Sequence, residues 1–116
     1  INKLFMLLEE EKLLSDILTS IHSINEYIKD NSTFDFFYSN KIIRRAVERE
    51  LEIIGEAVRN LQKFDSKINL NNTHQIIAVR NRIAHAYDGV DYITIWSIVI
   101  NHLPKLKTEI EDLFDS

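Results

Sequence analysis

Between residues 78 and 89 the sequence reads AVRNRIAHAYDG, placing Arg80, Asn81, Arg82, His85 and Tyr87 within eight positions. These side chains suit phosphodiester chemistry. An imidazole, titrating near pH ~6.5, takes a proton from an RNA 2′-hydroxyl or returns one to a departing 5′-oxygen. Guanidinium forks stabilise the charge that builds on the phosphate. Such a reaction requires no metal. The four histidines at 22, 74, 85 and 102 form neither an HExxH pair nor a histidine–aspartate cluster at ligand spacing.

Helical spacing decides which of these groups can cooperate. At about 100° per residue, Asn81 and His85 share a face, so the amide can orient the imidazole, and Arg82 lies about 60° from His85 on the other side. Arg80 and Tyr87 fall on one stripe, but Arg80 and His85 are about 140° apart on an ideal helix. Two routes close that gap: unwinding of the helix before Gly89, or a two-fold dimer that sets two copies of the helix side by side. The dimer would gather four arginines and two histidines from positions 80, 82 and 85 into one positive cleft.

The elements that must carry this cluster are helices. With two glycines and one proline in 116 residues, the chain lacks the punctuation of a many-stranded sheet. Leu4, Leu7, Leu14, Ile17, Leu18, Ile21, Ile24 and Ile28 mark a first long amphipathic helix ending near KDNS. Ser32 or Thr33 caps a short turn through FDFFYSN, whose phenylalanines plug the end of a bundle. A second long helix runs from Asn40 to Phe64 with Ile43, Val47, Ile54, Val58 and Leu61 in its stripe. Gly55 inside it costs about 1 kcal/mol against alanine and marks the close approach of a neighbour. Asn72 or Thr73 starts a third helix that carries the motif. Asp91 caps a fourth, with Ile93, Trp96, Ile100, Leu103, Leu106, Ile110 and Leu113 as its stripe and Pro104 kinking it. The reading is one all-α domain, residues 1–116, an up-and-down bundle of four to five helices.

Bulk properties narrow the function. A net charge of −4 excludes a generally basic nucleic-acid coat, so contact with RNA needs a local patch. Cysteine is absent, which removes disulfides and thiolate metal sites. No apolar run is long enough to span a membrane and no signal peptide is evident, so the expectation is a cytoplasmic protein. The chain opens on Ile1, which points to a start within a longer reading frame or at an alternative start codon.

Arg80, Asn81, His85 and Tyr87 spell the Arg-x4-His-x-Tyr pattern, preceded by AVERELEIIGEAVRNL and followed by VDYITIWSIVINHLPKLKTEIEDL. In this order the segments resemble the HepT-like toxins of the HEPN superfamily over nearly the whole chain. The resemblance implies a metal-independent endoribonuclease, the toxin of a toxin–antitoxin pair, active as a homodimer with the motif at the interface and needing no cofactor. By the same resemblance Arg80 and His85 match the catalytic pair and Asn81 the polar residue after the arginine. Tyr87 matches the tyrosine to which an MNT-type nucleotidyltransferase antitoxin attaches AMP. Arg82 adds a second cation for RNA binding. Two departures stand out: HAY replaces the more common HGY, and Glu50 puts an acid where relatives often carry a neutral residue, which is expected to weaken RNA binding.

A structural alternative assigns Arg80 and Arg82 to salt bridges with Glu48, Glu52 or Glu56 of the second helix. The corresponding functional alternative is a non-catalytic helical module that dimerises and binds a nucleotidyltransferase or a nucleotide. Trp96, the phenylalanines and the leucine stripes read as core, and His22, His74 and His102 as structural or solvated. A nucleotidyltransferase role for the chain itself fails, because the Gly-Ser and paired-aspartate signature is missing.

Overall fold

The computed structural model describes residues 7–64, 68–71, 73–85 and 91–115, and among them every regular element is helical. Helix α1 (Leu8–Ile28) opens with Glu9, Glu10 and Glu11 at the positive end of its dipole. The Glu10 carboxylate accepts the Leu7 N–H at 3.0 Å. Leu14, Ile17, Ile21, Ile24 and Ile28 of α1 are buried as the stripe requires, whereas Leu7 stands 56% exposed and Leu4 lies outside the described residues.

Helix α2 (Phe34–Ser39) is capped by Thr33, whose hydroxyl accepts the Phe36 N–H at 3.2 Å. Its plug is chiefly Phe37, fully buried and stacked on Trp96 with centroids 5.2 Å apart, while Phe34 and Phe36 are half-buried. Helix α3 (Lys41–Leu61) starts at Asn40, whose side chain accepts from Ile43 at 3.1 Å. The Arg44 guanidinium lies 5.6 Å from the Tyr38 ring and 5.1 Å from the Tyr92 ring, tying the start of α3 to the plug. Helix α3 packs on α1 along one flank and on α4 (Thr73–Ala84) along another.

The last rod is α5 (Tyr92–Ser97), a π turn over Ile98–His102, and α6 (Leu103–Asp115). Asp91 caps α5 through Ile93 and Thr94, as the sequence indicates. Pro104 cannot donate to the carbonyl four residues back, and the turn ahead of it widens so that the Leu103 N–H reaches Ile98 O. That extra residue per turn corrects the expected stripe. Leu103, Leu106 and Ile110 are buried as expected, but upstream the core positions are Ile95, Ile98 and Val99, while Ile93 is 70% and Ile100 42% exposed. The apolar face has moved by one residue where the π turn begins. Among the described residues no helix is long and apolar enough to cross a membrane.

Candidate active site

The site is built on the contact between α3 and α4. A methyl group on Gly55 would fall on the Arg80 Cβ, 2.7 Å from its Cγ and 3.4 Å from the Ile76 carbonyl oxygen. Glycine at 55 therefore lets α4 lie close to α3 and gives the Arg80 stem a berth against the α3 backbone. The guanidinium then projects beside the next residue of α3: its NH2 is 2.9 Å from Glu56 Oε2. Its NH1 donates to the Asn81 side-chain oxygen at 3.1 Å.

This geometry revises the sequence reading in two respects. The Asn81 carbonyl oxygen orients Arg80, and among the described residues no hydrogen bond joins it to the His85 imidazole. Of the three glutamates proposed as partners for the arginines, Glu56 takes Arg80, whereas Glu48 is buried with Arg45 3.4 Å away and the Tyr92 hydroxyl facing it. Burial, then Glu48, hold the Tyr92 phenol above its usual range. The acid flagged at Glu50 lies on the α1 side of α3, where its carboxylate accepts the Tyr27 hydroxyl at 2.8 Å. Five residues separate it from Gly55, about 140° around the helix, so its charge is turned away from α4.

Beyond Arg80, the motif runs out to solvent. Helix α4 stops at Ala84, and His85 follows as a turn residue whose N–H still bonds to the Asn81 carbonyl at 3.1 Å. Asn81, Arg82 and His85 are exposed, whereas the Arg80 side chain is only 22% exposed. Arg82 lies on the α5 flank, close enough to help hold Asp91 below the usual carboxylate range, an effect led by hydrogen bonding from Thr94. Tyr87 lies outside the described residues. Thus α4 offers a clamped arginine on one flank, a second arginine on the other and an imidazole at its end. Among the described residues no group of three or more His, Asp or Glu side chains converges at metal-ligating geometry.

The Glu56 clamp was legible only as one of three candidate acids. What singles it out in the sequence is its place directly after the glycine that α4 packs on.

An all-α bundle that presents Arg-x4-His at the end of one helix is the class of protein the HEPN superfamily comprises. The family model described as HepT-like, "Ribonuclease HepT-like", matches residues 17–113, and the chain belongs to that family. It is similar to "Putative RNase MJ1380" of Methanocaldococcus jannaschii, 42% identical over 99 residues that cover 84% of this chain and 90% of that one. A second protein of that organism, "Gamma-glutamylcyclotransferase and putative RNase MJ0434", is 43% identical over 98 residues, 84% of this chain but 44% of the relative. "Probable ribonuclease HepT" of Thermococcus cleftensis is 35% identical over 101 residues, covering 86% of this chain and 91% of the relative. No solved structure matches the chain.

Proposed function

We propose that this chain is a metal-independent endoribonuclease, the toxin of a cytoplasmic toxin–antitoxin pair, which cleaves RNA in a cleft between two copies of α4. The observation that carries the reading is the held guanidinium of Arg80, fixed by Glu56 and Asn81 beside the Gly55 berth, with His85 exposed one turn further on. An arginine with one N–H donated to Asn81 and one terminal nitrogen ion-paired with Glu56 keeps other N–H groups for phosphate oxygens, and its orientation is set before substrate arrives.

In the reaction, the His85 imidazole of one subunit removes the proton of the 2′-hydroxyl as the 2′-oxygen attacks phosphorus. His85 of the partner subunit, protonated, donates to the departing 5′-oxygen. The products are a 2′,3′-cyclic phosphate and a free 5′-hydroxyl; Arg80 stabilises the charge on the non-bridging oxygens, and Arg82 serves to bind the RNA. The separation of Arg80 and His85 around α4 supports a two-subunit cleft, because two antiparallel copies bring the arginine of one toward the histidine of the other. Tyr87 is the AMP acceptor for a nucleotidyltransferase antitoxin, and the added phosphate would repel RNA at the cleft.

The Arg80–Glu56 ion pair favours one competing reading, a binding module whose arginine charge is already compensated. RNA cleavage by purified protein in EDTA, comparing wild type with Arg80→Ala and His85→Ala of equal helicity and sedimentation, separates the two. Loss of cleavage in both variants is the expected result. Equal cleavage in all three refutes the assignment, and a wild type that binds RNA without cutting it establishes the binding module.

A further inference from the structure

The face of α4 opposite the Arg80 berth borders a groove of about 530 Å³, closed on its far side by α5 and the π turn. That volume lies within the range that holds small ligands. Arg82 and His74 line it from α4, and Thr94, Ser97 and His102 from the other wall. Among the described residues no carboxylate lines it, although acids outnumber bases in the chain by 18 to 14. Asp91, at the start of α5, is committed to capping that helix, accepting from the Ile93 and Thr94 N–H groups and from the Thr94 hydroxyl at 2.8 Å.

Three features of the groove suit a nucleotide chain. Arg82, already read as a cation for RNA, and the imidazoles of His74 and His102, read from the sequence as structural or solvated, are donors for phosphate oxygens. His102 is half-buried, and its Nδ1 finds no hydrogen-bond partner among the described residues. Apart from Gln75 the remaining described lining is apolar, with Ile93 exposed for a base or sugar to cover. The groove also has a direction. His74 and His85 are eleven residues apart, about 16 Å along α4, so the groove runs back from the reactive end of the helix over the length of a few nucleotides.

We propose that this α4–α5 groove is a binding track for the single-stranded RNA next to the cleaved bond, with Arg82, His74 and His102 holding its phosphates. The ligand's identity rests on the ribonuclease reading. Binding therefore has to be measured on RNA that cannot be cut, so that loss of the track and loss of catalysis stay distinct.

The test is fluorescence anisotropy of the full chain with a single-stranded 2′-O-methyl RNA of about 10 nucleotides over a range of salt concentrations. Arg82→Ala is expected to weaken binding and to lower the slope of log affinity against log salt by about 0.7, the value for one phosphate contact on a single strand. His74→Glu, on an exposed residue, weakens binding about tenfold. Lys29→Glu at the far end of α1, a control for net charge, leaves the slope as it is in wild type. Affinities within twofold of wild type for both groove variants overturn the proposal. So does a mononucleotide that displaces the RNA at the RNA's own affinity, which makes the groove a free-nucleotide site. Sedimentation decides the third case: variants that dissociate the dimer with RNA binding unchanged show the groove to be covered by a second copy. Wild-type cleavage, measured separately on unmodified RNA, reports on the ribonuclease reading alone.

Discussion

Gly55→Ala sets two opposing effects against each other, and the structure says which wins. In an exposed helix the change would stabilise α3 by about 1 kcal/mol, because alanine is the better helix former. Here the new methyl meets the Arg80 Cβ and lies 2.7 Å from Cγ, well inside carbon–carbon contact at about 3.5 Å. Relief requires α4 to move off α3 by roughly 1 Å, or Arg80 to leave its berth. Overpacking of this kind costs about 1–3 kcal/mol. With the propensity gain subtracted, the net loss is about 1 kcal/mol. At roughly 2.1 cal/mol/K per residue over 116 residues, that lowers the melting temperature by about 4 °C. The functional loss is larger, since displacing a positioned guanidinium by about 1 Å costs on the order of 100-fold in rate. Thermal unfolding by circular dichroism and cleavage of a fluorogenic RNA read the two effects separately. A variant that melts higher than wild type and cleaves as fast would refute the claim that Gly55 makes room for Arg80.

Glu56→Gln removes the charge of a half-exposed pair and leaves the melting temperature within about 2 °C, yet lowers cleavage roughly tenfold because Arg80 loses one of its two anchors; rescue by Glu56→Asp would confirm a positioning role. Phe37→Ala opens a cavity under Trp96 and costs about 3–5 kcal/mol, seen as a lower denaturation midpoint and a shifted tryptophan emission. The Tyr27 phenol is raised above its usual range by its hydrogen bond to Glu50, so the stability this pair contributes is complete below pH ~10 and is lost as pH rises through the raised value. Urea unfolding at pH 8 and above pH 10 should therefore show a shallower decline in Tyr27→Phe than in wild type, the remaining decline belonging to Tyr92. An unchanged decline would show that the pair contributes nothing.

Local rules carried much of the architecture. The scarcity of glycine and proline, the apolar spacing of α1 and α3, and the caps at Thr33, Asn40 and Asp91 are properties of neighbouring residues, so they can be read without knowing what each helix touches. The motif's place at the end of α4 follows from the same periodicity, and Gly55 announced a close contact by being costly where it stands. What touched Gly55 was not legible. That the neighbour is Arg80, that Glu56 rather than Glu48 or Glu52 takes the guanidinium, and that Asn81 serves the arginine instead of the histidine all depend on the approach of α4 to α3. The phase of the last rod was likewise decided in three dimensions. A straight helix would have buried Ile93 and Ile100, but the π turn ahead of Pro104 adds one residue and hands both positions to solvent, Ile93 in the α4–α5 groove. Sequence periodicity determines which helices form, because it is a property of the chain against its own axis. Which charge meets which was left to packing, because it depends on how two axes approach one another.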